Sequence, residues 1–260
     1  MRLDVYLTES ALAPSRTRAR EWIENGLVLV NGKCVRKPAF PVEPDAGQDI
    51  RVTGTLHPYV GRGGIKLHHA LEVFGVSPAG KTCADIGAST GGFTDCLLQH
   101  GAARVFAVDS GSGQLAPLLL ADSRVVNMEH CNARYLTPET LGVKCDIVVA
   151  DLSFISQTCV LDGIASILNG DGVYIGLIKP QFECGPGATD SRGLIRSPQL
   201  HAFAIRRVRD AAAAVGLNMQ KIDASPITGG DGNREFLCCC RRNLSDETIS
   251  DLEIEKVVRI

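Results

Sequence analysis

Between residues 82 and 240, short apolar runs alternate with stretches of helical composition, and that alternation leaves few folds open. Residues 82–86, 104–109, 125–128, 146–150 and 171–178 read as strands, with helices over 92–100 and 114–121. A long helix is expected over 197–215, capped by Ser197 and stopped by Gly216. Two more strands, 218–224 and 235–240, close the series. Strands and helices in alternation imply an α/β fold with a doubly wound, mostly parallel sheet. Ligands of such sheets gather outside the carboxyl ends of the strands. Polar residues at those ends are therefore the ones to weigh.

The first 60 residues follow another pattern. Ser15 is a candidate N-cap for a helix over 16–25 that stops at Gly26. Asn31-Gly32, between short runs at 27–30 and 33–36, is a strong hairpin signal, and a further strand is expected at 49–52. The chain should then divide into a small α+β unit, 1–60, a larger α/β unit, 61–242, and an acidic tail or helix, 243–260.

Charge follows the same division. Apolar residues make up 45% of the chain and charged ones 22%, which excludes disorder throughout. A net charge of −2 excludes a surface that is basic all over. Yet residues 1–66 hold ten Lys or Arg against seven Asp or Glu, and the excess concentrates in Arg16, Arg18, Arg20, Lys33, Arg36 and Lys37. A solvated helix face explains that cluster as well as a phosphate-binding one does. The ten cysteines contain no CxxC pair, so they read as small core residues in a reducing compartment. Cys238, Cys239 and Cys240 would point to alternate faces of a strand. The start of the chain lacks the apolar segment of a secretory signal, and no apolar run is long enough to span a bilayer. A cytoplasmic protein, with no membrane contact and no stable protein partner, is expected.

Two glycine motifs compete. Residues 75–82 match GxxxxGK[ST] letter for letter. A P-loop works because it leaves a strand and enters a helix, so that amides face the phosphates. Here a helical pattern over 67–74 precedes the motif and a strand follows it, so the order is reversed. The second motif, running from Asp85 through Gly87 to Phe93, has strand, glycine loop and helix in the right order, but not the GxGxxG spacing. A carboxylate at the tip of its strand would repel a pyrophosphate and attract a cationic cofactor such as S-adenosylmethionine. Asp109 ends the next strand, where a carboxylate can accept hydrogen bonds from ribose hydroxyls. The plain alternatives are a helix cap for Asp85 and a turn residue for Asp109. Four more polar residues interrupt apolar settings: Lys66 after Arg62-Gly-Gly-Ile, Asp151 and Lys179 at strand ends, and Glu235 at a strand start. Any one of them alone would pass for a surface charge.

Taken together, RLDVYL, LVLVNGKCVRKPAFPV, YVGRGGIKL, DIGASTGGFTDCLL, AVDSGSGQL, MEHCNARYL, VVADLSFIS, LIKPQFECG and SPITGGDGNREFL resemble the TlyA, or hemolysin A, family of ribosomal-RNA ribose 2′-O-methyltransferases over about residues 2–241. The resemblance implies an S4-type RNA-binding domain followed by an FtsJ-like, Rossmann-like methyltransferase domain using S-adenosylmethionine. It places the family's Lys-Asp-Lys-Glu tetrad on Lys66, Asp151, Lys179 and Glu235. A ribose hydroxyl is a weak nucleophile, so Lys179, in its neutral form, becomes the candidate base, with Asp151 and Glu235 orienting groups. No metal is needed. Asp85, Gly87, Ser89, Thr90, Gly91, Gly92 and Phe93 would hold the methionine part and Asp109 the ribose. Asn132, beside Ala133 and Arg134, would lie near the adenine.

The partner implied is ribosomal RNA in a ribosomal subunit, with Arg62 joining the basic residues of 1–60. Because the S4-type unit begins at Arg2-Leu3-Asp4 without a basic arm, large-subunit RNA is the expected substrate. Membrane lysis, a P-loop hydrolase at 75–82 and a non-catalytic RNA-binding factor are the competing functions. The complete tetrad opposes the last of these.

Overall fold

The computed structural model describes residues 1–43, 47–54, 57–242 and 248–259, and the chain divides after Pro58. The first unit opens with helix α1 (Leu3–Glu9), which the sequence pattern does not announce. Only Leu3 and Leu7 mark its apolar face, too few to stand out in a sequence, although both are fully buried. Helix α2 (Arg16–Glu24) starts where Ser15 Oγ accepts the Arg18 amide. Strands β1 (Val28–Val30), β2 (Lys33–Cys34) and β3 (Ile50–Val52) form an antiparallel sheet in the order β2-β1-β3. Asn31 and Gly32 turn the hairpin with φ of 49° and 73°, the left-handed pair that a two-residue turn demands. Leu3, Leu7, Ala19, Trp22, Ile23 and Val28 form this unit's own core.

The second unit runs α3 (Gly63–Phe74), β4 (Thr82–Ile86), α4 (Gly92–Gln99), β5 (Arg104–Val108), α5 (Pro117–Leu120), β6 (Val125–Met128), α6 (Pro138–Leu141), β7 (Cys145–Ala150), α7 (Leu161–Ile167), β8 (Leu168–Ile178), α8 (Pro180–Glu183), α9 (Pro198–Ala214), β9 (Leu217–Ala224), β10 (Phe236–Arg242) and α10 (Asp251–Arg259). The helix expected over 114–121 shrinks to one turn because Pro117, lacking an amide hydrogen, fits only its start. The seven strands are ordered β6-β5-β4-β7-β8-β10-β9; the first five are parallel, and β10 is antiparallel to both neighbours. The sheet is thus mixed.

Alternation along each strand feeds two cores. Ile86, Val148, Tyr174, Cys238 and Cys240 face one way, with residues of α7, α9 and α10. Cys83, Val149, Ile175, Leu177 and Cys239 face the other, with residues of α3 and α4. The cysteine triplet therefore does split between faces. The expectation that all ten cysteines are core residues is corrected: Cys34 and Cys159 are exposed, and Cys131 and Cys184 are partly so.

Of the segment 243–260, residues 243–247 and 260 lie outside the described residues. Helix α10 buries Ile254, Val257 and Val258, an i, i+3, i+4 stripe, against the core. Arg234 donates to the carbonyls of Val258 and Val257, at 3.0 and 3.4 Å, at the end of that helix.

Candidate active site

The sheet order brings the polar strand-end residues to one end of the second unit. Asp85 lies in β4, Asp109 follows β5, Asp151 follows β7 and Lys179 follows β8. Strand β10 runs the opposite way, so its start falls at the same end; Phe236 pairs with Ile178, which sets Glu235 beside Lys179 in register. Lys66 joins them from the first turn of α3.

The four tetrad residues form two ion pairs. Lys66 Nζ lies 2.6 Å from Glu235 Oε2, and both residues are buried. Lys179 Nζ lies 2.7 Å from Asp151 Oδ1 and donates a hydrogen bond of 2.9 Å to Ser153 Oγ. Burial pushes the Glu235 carboxyl up; the nearby lysines Lys66 and Lys179 pull it back, and Asp151 adds to the rise. A buried charge that loses its partner costs about 3–5 kcal/mol, so the buried Lys66–Glu235 pair holds its members in place.

The glycine loop between β4 and α4 builds the adjoining part. Asp85 has no exposed surface, and its Oδ2 accepts from the Thr94 amide at 2.8 Å and the Thr94 hydroxyl at 2.7 Å. Among the described residues its Oδ1 has no hydrogen-bond partner. Burial pushes this carboxyl up to about 7; Thr94 opposes the rise, and Asp151 and Asp109 add to it. Gly87 has φ 84°, and a Cβ there would stand 2.9 Å from the Asp151 carbonyl oxygen, so only glycine lets the two loops approach. Asp109 is oriented by the Ser89 and Gly111 amides, each donating to one carboxylate oxygen at 2.7 Å. Asn132 lines the cleft, but its side-chain oxygen accepts the Arg134 amide at 3.1 Å and caps a short turn at Ala133–Tyr135.

Three clefts share these residues. One of about 420 Å³ is lined by Gly87, Ser89, Asp109, Asn132, Asp151 and Ser153. A second of about 190 Å³ is lined by Arg62, Asp85, Thr90, Phe93, Asp151, Ser153 and Lys179, among others. A third of about 470 Å³ opens between Ser153, Phe154, Lys179, Phe182, Asp231 and Glu235. Ser153 lines all three. An adenosine fits the first by its paired acceptor Asp109. The ammonium and sulfonium of S-adenosylmethionine fit the second by the unpartnered oxygen of Asp85. The third, open one adjoins the tetrad and suits the methyl acceptor. Thr94 and Ser153 escape a reading of the sequence. A hydroxyl in the first turn of a helix or in a loop carries no pattern of its own.

In the first unit Arg16, Arg20, Lys33, Arg36 and Lys37 are exposed, as is Arg62 in the second. Arg18 is corrected: it is buried, with its guanidinium against Glu21 at 3.0 Å and the His57 carbonyl at 3.3 Å. Its place on the inner side of α2 removes it from the phosphate-facing set. Arg16 pairs with Asp4 at 3.1 Å and Arg20 with Glu24 at 3.9 Å, while keeping over half their surface exposed. The P-loop alternative is also corrected. Residues 75–82 run from the end of α3 into β4, so no helix N-terminus follows the glycines. Among the described residues no helix is long and apolar enough to cross a membrane.

Comparison with known proteins agrees with the fold. Residues 59–242 match the FtsJ-like methyltransferase model, and residues 1–47 match the S4 domain model. The chain is 42% identical over 257 residues to a 16S/23S rRNA (cytidine-2′-O)-methyltransferase TlyA of Mycobacterium tuberculosis, covering 99% of this chain and 95% of that protein. It is 32% identical to a 23S rRNA (cytidine-2′-O)-methyltransferase TlyA of Campylobacter jejuni, covering 91% and 97%. A solved structure described as a hemolysin from Streptococcus thermophilus superposes with a TM-score of 0.80 at 37% identity, covering 100% of this chain and 94% of that one. With its S4 domain and its methyltransferase sheet, the chain belongs to the TlyA/hemolysin A family of S-adenosylmethionine-dependent methyltransferases.

Proposed function

We propose that this chain methylates the 2′-hydroxyl of a cytidine ribose in ribosomal RNA, in the large subunit. The observation that carries the reading is the pair of lysine–carboxylate contacts, Lys66–Glu235 and Lys179–Asp151, where the cofactor clefts meet an open cleft. S-adenosylmethionine supplies a methyl group on a sulfonium, already bonded to a good leaving group. What the protein must add is position and a place for the proton. Lys179, at the junction of the second and third clefts, is the base: its neutral amine takes the hydroxyl proton as the oxygen attacks. Asp151 holds that lysine, and Glu235 with Lys66 forms the opposite wall. Asp85 faces the methionine ammonium, and Asp109 the ribose of the cofactor. Ser89, Thr90 and Phe93, with the glycines of the loop, complete that wall.

RNA is the acceptor class favoured by the S4 domain and its exposed Arg16, Arg20, Lys33, Arg36 and Lys37. The names of the Mycobacterium and Campylobacter relatives share the large-subunit RNA as substrate. A ribosomal substrate also places the reaction in the cytoplasm. The test is transfer of labelled methyl from S-adenosylmethionine to separately purified ribosomal subunits, with the modified nucleotide mapped. Stoichiometric label on a large-subunit cytidine ribose is expected. No label on either subunit would overturn the reading, and stoichiometric label on the small subunit would overturn the restriction to the large one.

A further inference from the structure

Lys179 has two oxygen neighbours of different kinds. Its contact with Asp151 Oδ1, at 2.7 Å, is an ion pair, whose attraction depends on distance and hardly on direction. Its contact with Ser153 Oγ, at 2.9 Å, is a hydrogen bond, which weakens steeply when donor and acceptor are misaligned. A lysine ammonium carries three rotatable N–H donors on its last bond, so charge alone leaves them without a fixed aim. One directional bond removes that freedom. Ser153 is well placed to supply it: it lies two residues after Asp151 and borders both cofactor clefts and the acceptor cleft.

We propose that Ser153 is a positioning residue for methyl transfer, aiming the Lys179 amine at the acceptor hydroxyl through the Lys179–Ser153 hydrogen bond. This rests on the reading of Lys179 as the base. In the step, the acceptor O–H bond breaks and its proton goes to the lone pair of Lys179. The oxygen forms the new C–O bond, and the electrons of the broken C–S bond stay on sulfur. Ser153 Oγ accepts one N–H throughout. The lone pair of the neutral amine is then confined to the remaining directions, which open into the second and third clefts, where cofactor and acceptor meet. With the bond removed, the amine samples all rotations and only a fraction of encounters is productive.

The test compares wild type, Ser153→Ala, Ser153→Thr and Lys179→Ala for methyl transfer to purified ribosomal subunits. Cofactor affinity is measured by calorimetry for each. Ser153 is exposed, so neither substitution threatens folding. Ser153→Ala should lower kcat about tenfold or more, with KM for the subunit and cofactor affinity unchanged within about twofold. Ser153→Thr, which keeps the hydroxyl, should recover most of the rate. The inference is overturned if Ser153→Ala turns over within about twofold of wild type. It is equally overturned if the loss falls in KM or cofactor affinity, or if threonine is as poor as alanine. An inactive wild type, or a Lys179→Ala variant with full activity, strikes instead at the underlying reading.

Discussion

Asp4 in the first unit and Asp85 in the second both have no exposed surface, yet they lie on opposite sides of the ordinary aspartate range. Asp4 accepts from Arg2 at 2.9 and 3.0 Å, from Arg16 at 3.1 Å and from the Val5 amide at 3.1 Å. The Arg2 hydrogen bond above all, helped by Arg16, holds its carboxyl down at about 2 against the pull of burial. Among the described residues Asp85 receives the two Thr94 donors alone, both on one oxygen, and burial wins, giving about 7. Burial alone therefore does not decide the state of a carboxylate; the presence of a cation does. The first unit closes its buried charge with its own arginines. The second leaves one oxygen of its buried carboxyl without a partner among the described residues, at the wall of a cleft.

The largest effect that would sharpen this contrast lies beside Asp85. Lys179→Ala should lower methyl transfer by about 10²–10⁴-fold while calorimetry shows cofactor binding intact. Lys179→Arg should fail as well, since a guanidinium does not give up its proton. Retained turnover in either variant would remove Lys179 as the base. Next, Asp85→Asn keeps the shape but removes the charge. Cofactor affinity should fall about 10–100-fold, the range for a charge-assisted hydrogen bond. Unchanged affinity would make Asp85 a mere helix-capping residue.

A third outcome follows from ionisation. A carboxylate that meets an ammonium must be charged, so cofactor affinity should rise with pH through about 7. Between pH 6 and 8 the gain should approach about tenfold, and calorimetry at the two values reads it directly. The effect on the fold without cofactor has the opposite sign. A raised carboxyl pKa stabilises below it, so the second unit loses stability as pH rises through about 7. For Asp4 the lowered pKa gives stability present above the usual carboxylate range and lost as pH falls toward about 2. Asp4→Asn should lower denaturant stability of the first unit by about 1–2 kcal/mol, with no change in cofactor affinity. The smallest effect concerns RNA. Replacing Arg20 and Lys33 by alanine should weaken subunit binding and flatten its logarithmic salt dependence by about 0.9 for each phosphate no longer neutralised. A slope equal to wild type would return both to the solvated surface.

How much of this was legible depended on the range of the interaction. Strands β4 and β6 match the sequence pattern residue for residue, because short, mainly apolar runs are local signals. Helix α1 has two apolar anchors at the start of the chain, and α7 lies between loop and strand without a cap, so neither showed a period. The tetrad residues stood out as charges in apolar settings and through the family motifs. Their pairing did not: Lys66 and Glu235 are 169 residues apart, and only the reversed strand β10 brings them together. Arg18 looked like its neighbours Arg16 and Arg20, but it falls on the buried side of α2 with Trp22. The tie from Lys179 to Ser153 crosses from the end of one strand to the loop after another, and no local pattern announces it.

Helix α10 lies past residue 242, where the match to the methyltransferase model stops, yet it holds the arginine next to Glu235. Shortening the chain at that family boundary would therefore reach further than a trimmed terminus suggests. Ile254, Val257 and Val258 would leave a bare apolar strip on the core, and the guanidinium of Arg234 would lose both carbonyls that fix it. One peptide bond away, Glu235 would lose an anchor for its backbone. For anyone producing this protein, the safe place for an affinity tag is beyond an intact α10, and a minimal catalytic fragment has to carry that helix with it.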